Sequence, residues 1–179
     1  MVSRIIQEFK KRKLTKTFVL YVNEDCLKQF QENVCNLKCL HCYYRFATQR
    51  MKILENMKKE IDEMVRRGAD HVQITGGEPT IHKDFYELIK YVKSKNLMCS
   101  VITNGILFSE NEFCEKVTPY LDYVLLSFHA LKEKTFKTIY GTEFAWSKCN
   151  QALDNLENLS VELHINVTLM KINYQEIVH

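Results

Sequence analysis

Proline and glycine are scarce in this chain: two prolines and five glycines among 179 residues. That scarcity excludes collagen-like and polyproline architectures and leaves no low-complexity linker to separate two domains. No apolar run is long enough to cross a membrane as a helix. An excess of one charge is also missing. There are 25 Lys and Arg against 22 Asp and Glu, a net +3, too little to mark a nucleic-acid surface. No secretory signal is visible, and the seven cysteines are odd in number, so a disulfide framework is not expected at this size. Thiols without a secretory signal indicate a reducing, cytoplasmic compartment. With 46% hydrophobic residues, one domain with a substantial core is expected.

Strand and helix patterns alternate along the chain. The β-branched and aromatic run Phe18-Val19-Leu20-Tyr21-Val22 predicts a first strand. Leu54, Met57, Ile61, Met64 and Val65 recur at helical spacing, and Gly68 follows as a stop. His71-Val72-Gln73-Ile74-Thr75 predicts a second strand that runs into Gly76-Gly77-Glu78-Pro79. Phe85, Leu88, Ile89 and Val92 mark the next helix, and a third strand over 99–103 ends at Asn104-Gly105. Ser109 and Glu112 form a capping-box pattern for a helix that Pro119 ends. A fourth strand over 123–129, a short extra helix over 132–141, and a helix carrying Trp146, Cys149, Leu153, Leu156 and Leu159 follow. A fifth strand is predicted over 161–169, and Asn173-Tyr174-Gln175-Glu176 reads as the start of another helix. Repeated strand–helix units of roughly 25 to 30 residues imply an α/β fold, a parallel sheet with helices packed on it.

Residues 1–16 carry Arg4, Lys10, Lys11, Arg12, Lys13 and Lys16. They read as a basic, solvated helical extension rather than an RNA- or lipid-binding arm. Residues 17–179 then form the core domain. In the fifth strand Glu162, His164, Asn166 and Thr168 alternate with apolar residues and should share one face. His71, Gln73 and Thr75 share a face of the second strand, and Ser127 and His129 of the fourth. A polar sheet face is costly unless water or a ligand satisfies it. It reads as the lumen of a substrate and cofactor cavity, the alternative being plain solvent exposure on an open sheet.

Three cysteines, Cys35, Cys39 and Cys42, stand at the spacing C-x-x-x-C-x-x-C. Close thiolates suit zinc or iron–sulfur clusters. A structural zinc is closed by four protein ligands, so His41 or a distant cysteine would have to complete it. A four-iron cluster held by three cysteines instead leaves one iron open to a substrate or cofactor. Cys26, nine positions before Cys35, does not fit the triplet. It reads as a buried or loop thiol, or alternatively as a neighbour of the cluster.

C-x-x-x-C-x-x-C followed by Gly76-Gly77-Glu78-Pro79 resembles the radical S-adenosylmethionine (SAM) superfamily, over about residue 18 to the C-terminus. The resemblance implies a partial, six-unit (βα) barrel, here with five visible strands and the sixth missing: a barrel truncated after the fifth strand. It implies a [4Fe–4S] cluster on Cys35, Cys39 and Cys42, with SAM chelated at the open iron. The reduced cluster would split SAM to methionine and a 5′-deoxyadenosyl radical. Gly76 and Gly77 would let backbone approach the methionine end, Glu78 or the nearby backbone would meet its amino group, and Pro79 would end the ladder. His41 would offer a flat surface near the adenine, Ser127 would touch the ribose or carboxylate, and Asn166 would be a ribose contact. Tyr43 and Tyr44 would seal the loop. Tyr140-Gly141 stands where many peptide-modifying members carry Arg-Gly, and residues 23–34 are an unusual insertion before the first cysteine. Implied partners are a low-potential electron donor such as ferredoxin or flavodoxin and a peptide or small-molecule substrate. The residues do not name that substrate or its catalytic side chains. The competing reading is a non-catalytic iron–sulfur or zinc-binding module, or an inactive remnant.

Overall fold

A computed structural model of the chain describes residues 16–25, 34–42 and 49–178. In chain order its elements are β1 (Thr17–Tyr21), β2 (Asn23–Asp25), β3 (Gln49–Met51), α1 (Leu54–Arg66), β4 (His71–Thr75), α2 (Phe85–Ser94), β5 (Met98–Thr103), α3 (Asn111–Val117), β6 (Tyr123–Ser127), α4 (Glu133–Tyr140), α5 (Ala145–Glu157), β7 (Glu162–Asn166) and α6 (Tyr174–Val178). β1, β4, β5, β6 and β7 form one sheet in that order, every pair parallel. Parallel neighbours need long crossovers, and α1, α2, α3 and the α4–α5 pair supply them. This is the α/β, partial-barrel arrangement expected of the chain. Residues 1–15 of the basic extension, Cys26, Tyr43 and Tyr44 lie outside the described residues.

The sheet's two faces differ. Leu20, Val72, Ile74, Cys99, Val101 and Val124 are fully buried on one face, packed with Met57 and Ile61 of α1 and Leu88, Ile89 and Val92 of α2. Each such side chain contributes roughly 1.5–3 kcal/mol by leaving water. A second apolar cluster joins Leu126, Phe128, Phe136, Ile139, Tyr140, Ala145 and Cys149 to Leu37 of the cysteine loop. The other face carries half-buried Gln73, Thr75, Tyr123 and Ser127 and exposed Glu162, His164 and Asn166. The polar face therefore exists, and at β7 it is solvent-exposed. Near the start of the strands it is stitched together: His71 Nε2 bonds Ser100 Oγ (2.8 Å) and His71 Nδ1 bonds Thr17 Oγ1 (2.9 Å).

Several local expectations change, among them the fourth strand, which ends at Ser127 rather than 129. The Ser109–Glu112 capping box does not form: α3 begins at Asn111 without a side-chain cap, and Ser109 Oγ donates to the Ile106 carbonyl instead (2.8 Å). The fifth strand stops at Asn166 rather than 169. Beyond it, the Thr168 N–H donates to His129 Nδ1 (3.1 Å), and Asn173 Nδ2 donates to the carbonyls of His129 (2.6 Å) and Thr168 (2.8 Å). These bonds take the backbone out of the ladder. The insertion after β1 contains β2, which pairs antiparallel with β3 and brings together the two ends of the segment that carries the cysteines. Among the described residues no helix is long and apolar enough to cross a membrane.

Candidate cluster and cofactor site

The site forms where the strands end. Gly76 sits at φ 145°, a conformation that favours glycine. Gly77 is required for a different reason: a Cβ there would lie 2.0 Å from the Val34 carbonyl oxygen. That close approach lets the Glu78 N–H donate to Val34 (2.7 Å), one residue before Cys35. The rest of the cysteine loop rests on the end of α4. The Leu40 N–H donates to the Ile139 carbonyl (2.7 Å), and Gly141, left-handed at φ 70°, leaves room for the Lys38 carbonyl. Tyr140 is fully buried, stacked on Phe136 with ring centroids 4.0 Å apart, and its hydroxyl donates to the Ser127 carbonyl. Tyr140 thus serves as a prop for the end of β6.

Cys35, Cys39 and Cys42 are all free and half-buried. Burial pushes the Cys35 thiol up to about 11 and the Cys39 thiol up to about 12, with neighbouring thiols of the triplet and Glu78 adding to the rise. No three His, Cys, Asp or Glu side chains among the described residues are drawn in around a single metal ion; a four-iron cubane spreads its thiolates farther apart. Cys35 Sγ also accepts from the Leu37 N–H (3.4 Å) and lies 4.0 Å from Asn104 Nδ2, contacts of the kind that tune cluster sulfurs. His41 is half-buried, its ring edge-on to His129 at 4.5 Å, and its Nδ1 is buried without a partner among the described residues. An orphaned polar atom at the mouth is what a bound ligand would satisfy. Donor set, spacing and surroundings fit an iron–sulfur cluster with a ligand beside it.

Ser127 and Asn166 stand side by side in the β6–β7 register. Pro79 opens a 3-10 turn (Pro79–Ile81) at its first position, where no N–H is needed. Glu78 requires a correction. The expected carboxylate–ammonium contact does not match the geometry, because the side chain is buried and both oxygens are engaged inside. Oε1 accepts from the Thr80 hydroxyl (2.6 Å) and the Thr103 hydroxyl (2.7 Å), and Oε2 from the Asn104 N–H (2.7 Å).

Asn104 is the principal residue that sequence reasoning missed. It binds Glu78 through its N–H, Asn36 Oδ1 through Nδ2 (2.7 Å) and the Ile106 N–H through Oδ1 (3.0 Å), and its carbonyl accepts from Cys149 Sγ (3.1 Å). The signal was Asn-Gly at a strand end, which reads as a turn and nothing more. His129 and Asn173 were missed as a pair because they lie 44 residues apart.

A parallel strand–helix sheet with a three-thiol loop over the carboxyl ends of its strands defines a class, βα proteins that bind and react at that end. Comparison narrows it. Residues 33–179 match the family model of the radical SAM superfamily, and the chain belongs to that superfamily. The superfamily uses a [4Fe–4S] cluster and SAM. The chain is similar to Fe-coproporphyrin III synthase of Methanosarcina barkeri, 30% identical over 80% of this chain and 36% of that protein. It is also similar to a probable GTP 3′,8-cyclase of Thermococcus kodakarensis, 29% identical over 76% of this chain and 45% of that protein. Among solved structures, SuiB of Streptococcus suis bound to S-adenosylmethionine superposes with TM-score 0.73 at 19% identity, covering 98% of this chain and 40% of that one. SuiB bound to its precursor peptide SuiA gives the same score. The chain spans between about a third and a half of the curated relatives it matches.

Proposed function

We propose that Cys35, Cys39 and Cys42 hold a [4Fe–4S] cluster and that SAM binds beside Gly76-Gly77-Glu78-Pro79, making the chain the core of a radical SAM enzyme. The observation that carries this reading is the packing of the three-thiol loop directly on Gly77, where a Cβ would meet the Val34 carbonyl at 2.0 Å. When bound, the cluster and SAM supply reductive cleavage of the sulfonium and a 5′-deoxyadenosyl radical that abstracts hydrogen from substrate.

The chain's own residues do the rest. Cys35, Cys39 and Cys42 would hold the iron as thiolates, the form in which cysteine ligates metal. The backbone of Gly76 and Gly77 offers groups to the methionine end of SAM, and the His41 ring, with its unpartnered Nδ1, lies along the adenine. Ser127 and Asn166, adjacent at the ends of β6 and β7, offer a hydroxyl and an amide to the ribose. The apolar cluster under the loop excludes water from the thiols. A low-potential carrier such as a ferredoxin or flavodoxin delivers the electron, in a cytoplasmic setting. The substrate lies against the polar face of the sheet. A peptide is the class we favour, supported by SuiB being seen with a precursor peptide.

The test is anaerobic reconstitution with iron and sulfide, then dithionite and SAM, with 5′-deoxyadenosine measured by chromatography. Formation of that product, lost in Cys35→Ala, Cys39→Ala and Cys42→Ala together with iron, is expected. No product from a fully loaded cluster points to a non-catalytic iron–sulfur module instead. If the three variants keep full iron, the ligand assignment is wrong.

A further inference from the structure

One buried polar group at the mouth is a carboxylate for which no cationic partner is found among the described residues. Glu78 is 2% exposed. Besides the Thr80 hydroxyl, the Thr103 hydroxyl and the Asn104 N–H, the Thr80 N–H reaches it at 3.2 Å. Thr103 Oγ1 accepts from the Gly105 N–H (3.0 Å), which leaves its own proton for Glu78. Four donors and no acceptor face the group, an arrangement suited to the ionised form. Burial raises its pKa and these same donors oppose the rise. Among the described residues, the groups that hold the carboxylate are neutral dipoles.

That charge lies next to the thiols. The Glu78 N–H is bonded to Val34, one residue before Cys35, and Asn104 bridges from the carboxylate to within 4.0 Å of Cys35 Sγ. Its field reaches both Cys35 and Cys39. The potential of an iron–sulfur cluster depends on net charge, hydrogen bonds to sulfur and solvent access. The Leu37 N–H and Asn104 Nδ2 at Cys35 ease reduction. A fixed anion nearby opposes it.

We infer that the Glu78 carboxylate is a redox-tuning charge: it disfavours the electron added to a cluster on Cys35, Cys39 and Cys42 and keeps that cluster strongly reducing. The inference rests on the cluster proposed above. The step concerned is the transfer of one electron from an external reductant, dithionite in the test, to the oxidised cluster. At an effective dielectric of about 20, a unit charge roughly 10 Å away changes that equilibrium by about tenfold, or about 59 mV for one electron.

The experiment is an EPR-monitored redox titration of the reconstituted protein and two variants, with iron and sulfide counted in each. Glu78→Gln removes the charge and keeps the shape. Its midpoint should move upward by about tenfold in the reduction equilibrium. Glu78→Asp keeps the carboxylate but shortens its reach and so loosens the same network; its midpoint should stay near that of wild type. An unmoved or lower midpoint in Glu78→Gln overturns the inference. So does an equal upward shift in Glu78→Asp, because disorder of the network would then be the cause. If Glu78→Gln takes up no iron, Glu78→Asp decides alone: a raised midpoint rejects the tuning role, and an unmoved one supports it. A wild-type chain that forms no cluster rejects the proposed function itself, and the inference with it.

Discussion

Gly77→Ala should separate the cysteine loop from the sheet. The new Cβ would lie 2.0 Å from the Val34 oxygen and 2.6 Å from its carbonyl carbon, both backbone atoms, whereas ordinary contact begins at 3.4 Å. Relief therefore needs a shift of about 1.4 Å, and a side-chain rotation cannot provide it. A shift of that size stretches the 2.7 Å Glu78–Val34 hydrogen bond beyond bonding range. Overpacking costs about 1–3 kcal/mol and the lost bond about 1 kcal/mol, so about 2–4 kcal/mol together, or roughly 5–15 °C in Tm for a chain of this size. Urea unfolding of the cluster-free, reduced protein measures the first effect, and iron per chain after reconstitution measures the second. Gly68→Ala is the control. It sits at φ 80°, far from the loop, with nothing nearer its Cβ than Lys16 Nζ at 3.5 Å. It should cost about 1–2 kcal/mol through backbone strain and leave iron uptake intact. A Gly77→Ala protein within about 0.5 kcal/mol of wild type, with full iron, would refute the reasoning.

Further outcomes follow from single groups. Tyr140→Phe strips the Ser127 carbonyl of its donor and should cost about 1–3 kcal/mol in urea unfolding; no change would mean that water replaces the hydroxyl. Asn173→Ala unties Met170, Thr168 and His129 at once. It should cost about 2–4 kcal/mol and speed proteolysis around 167–173, read by mass spectrometry of the fragments. His129 is pushed from 6.5 down to about 4 by burial and by His41. The unfolded chain therefore takes up a proton that the folded chain refuses. Stability is full above about pH 6.5, falls as the pH drops, and by about pH 4 is lower by up to about 3 kcal/mol from this group. His71, also pushed down by burial, acts in the same direction. His129→Gln should flatten the acid limb of the stability curve of cluster-free protein, and an unchanged limb would remove His129 from that role.

The thiol spacing, the Gly-Gly turn and the alternation of strand and helix were legible because each is local: it lies within a dozen residues and has a periodicity or a spacing. Pairing across long separations was not. Nothing local to Glu78 shows how its carboxylate is engaged, and only the fold brings Thr103 and Asn104, 25 and 26 residues on, to cap it. The polar pattern at 162–168 continues past Asn166, yet Asn173 and His129 end the strand by taking over its backbone groups. The Ser109 and Glu112 motif has the right letters for a cap. The Ile106 carbonyl takes the Ser109 hydroxyl instead, a competition within the preceding turn that motif spacing does not reveal. β2 and β3 are three residues each, too short for any pattern to announce.

The most direct measurement is the EPR spectrum of the dithionite-reduced, reconstituted protein with and without SAM. If three cysteines leave one iron open beside Gly76 and Gly77, saturating SAM shifts the g-values of the cluster signal, and Cys35→Ala abolishes the signal in both conditions. An intact cluster whose spectrum is identical with and without saturating SAM would contradict the claim that this loop and turn form a SAM site.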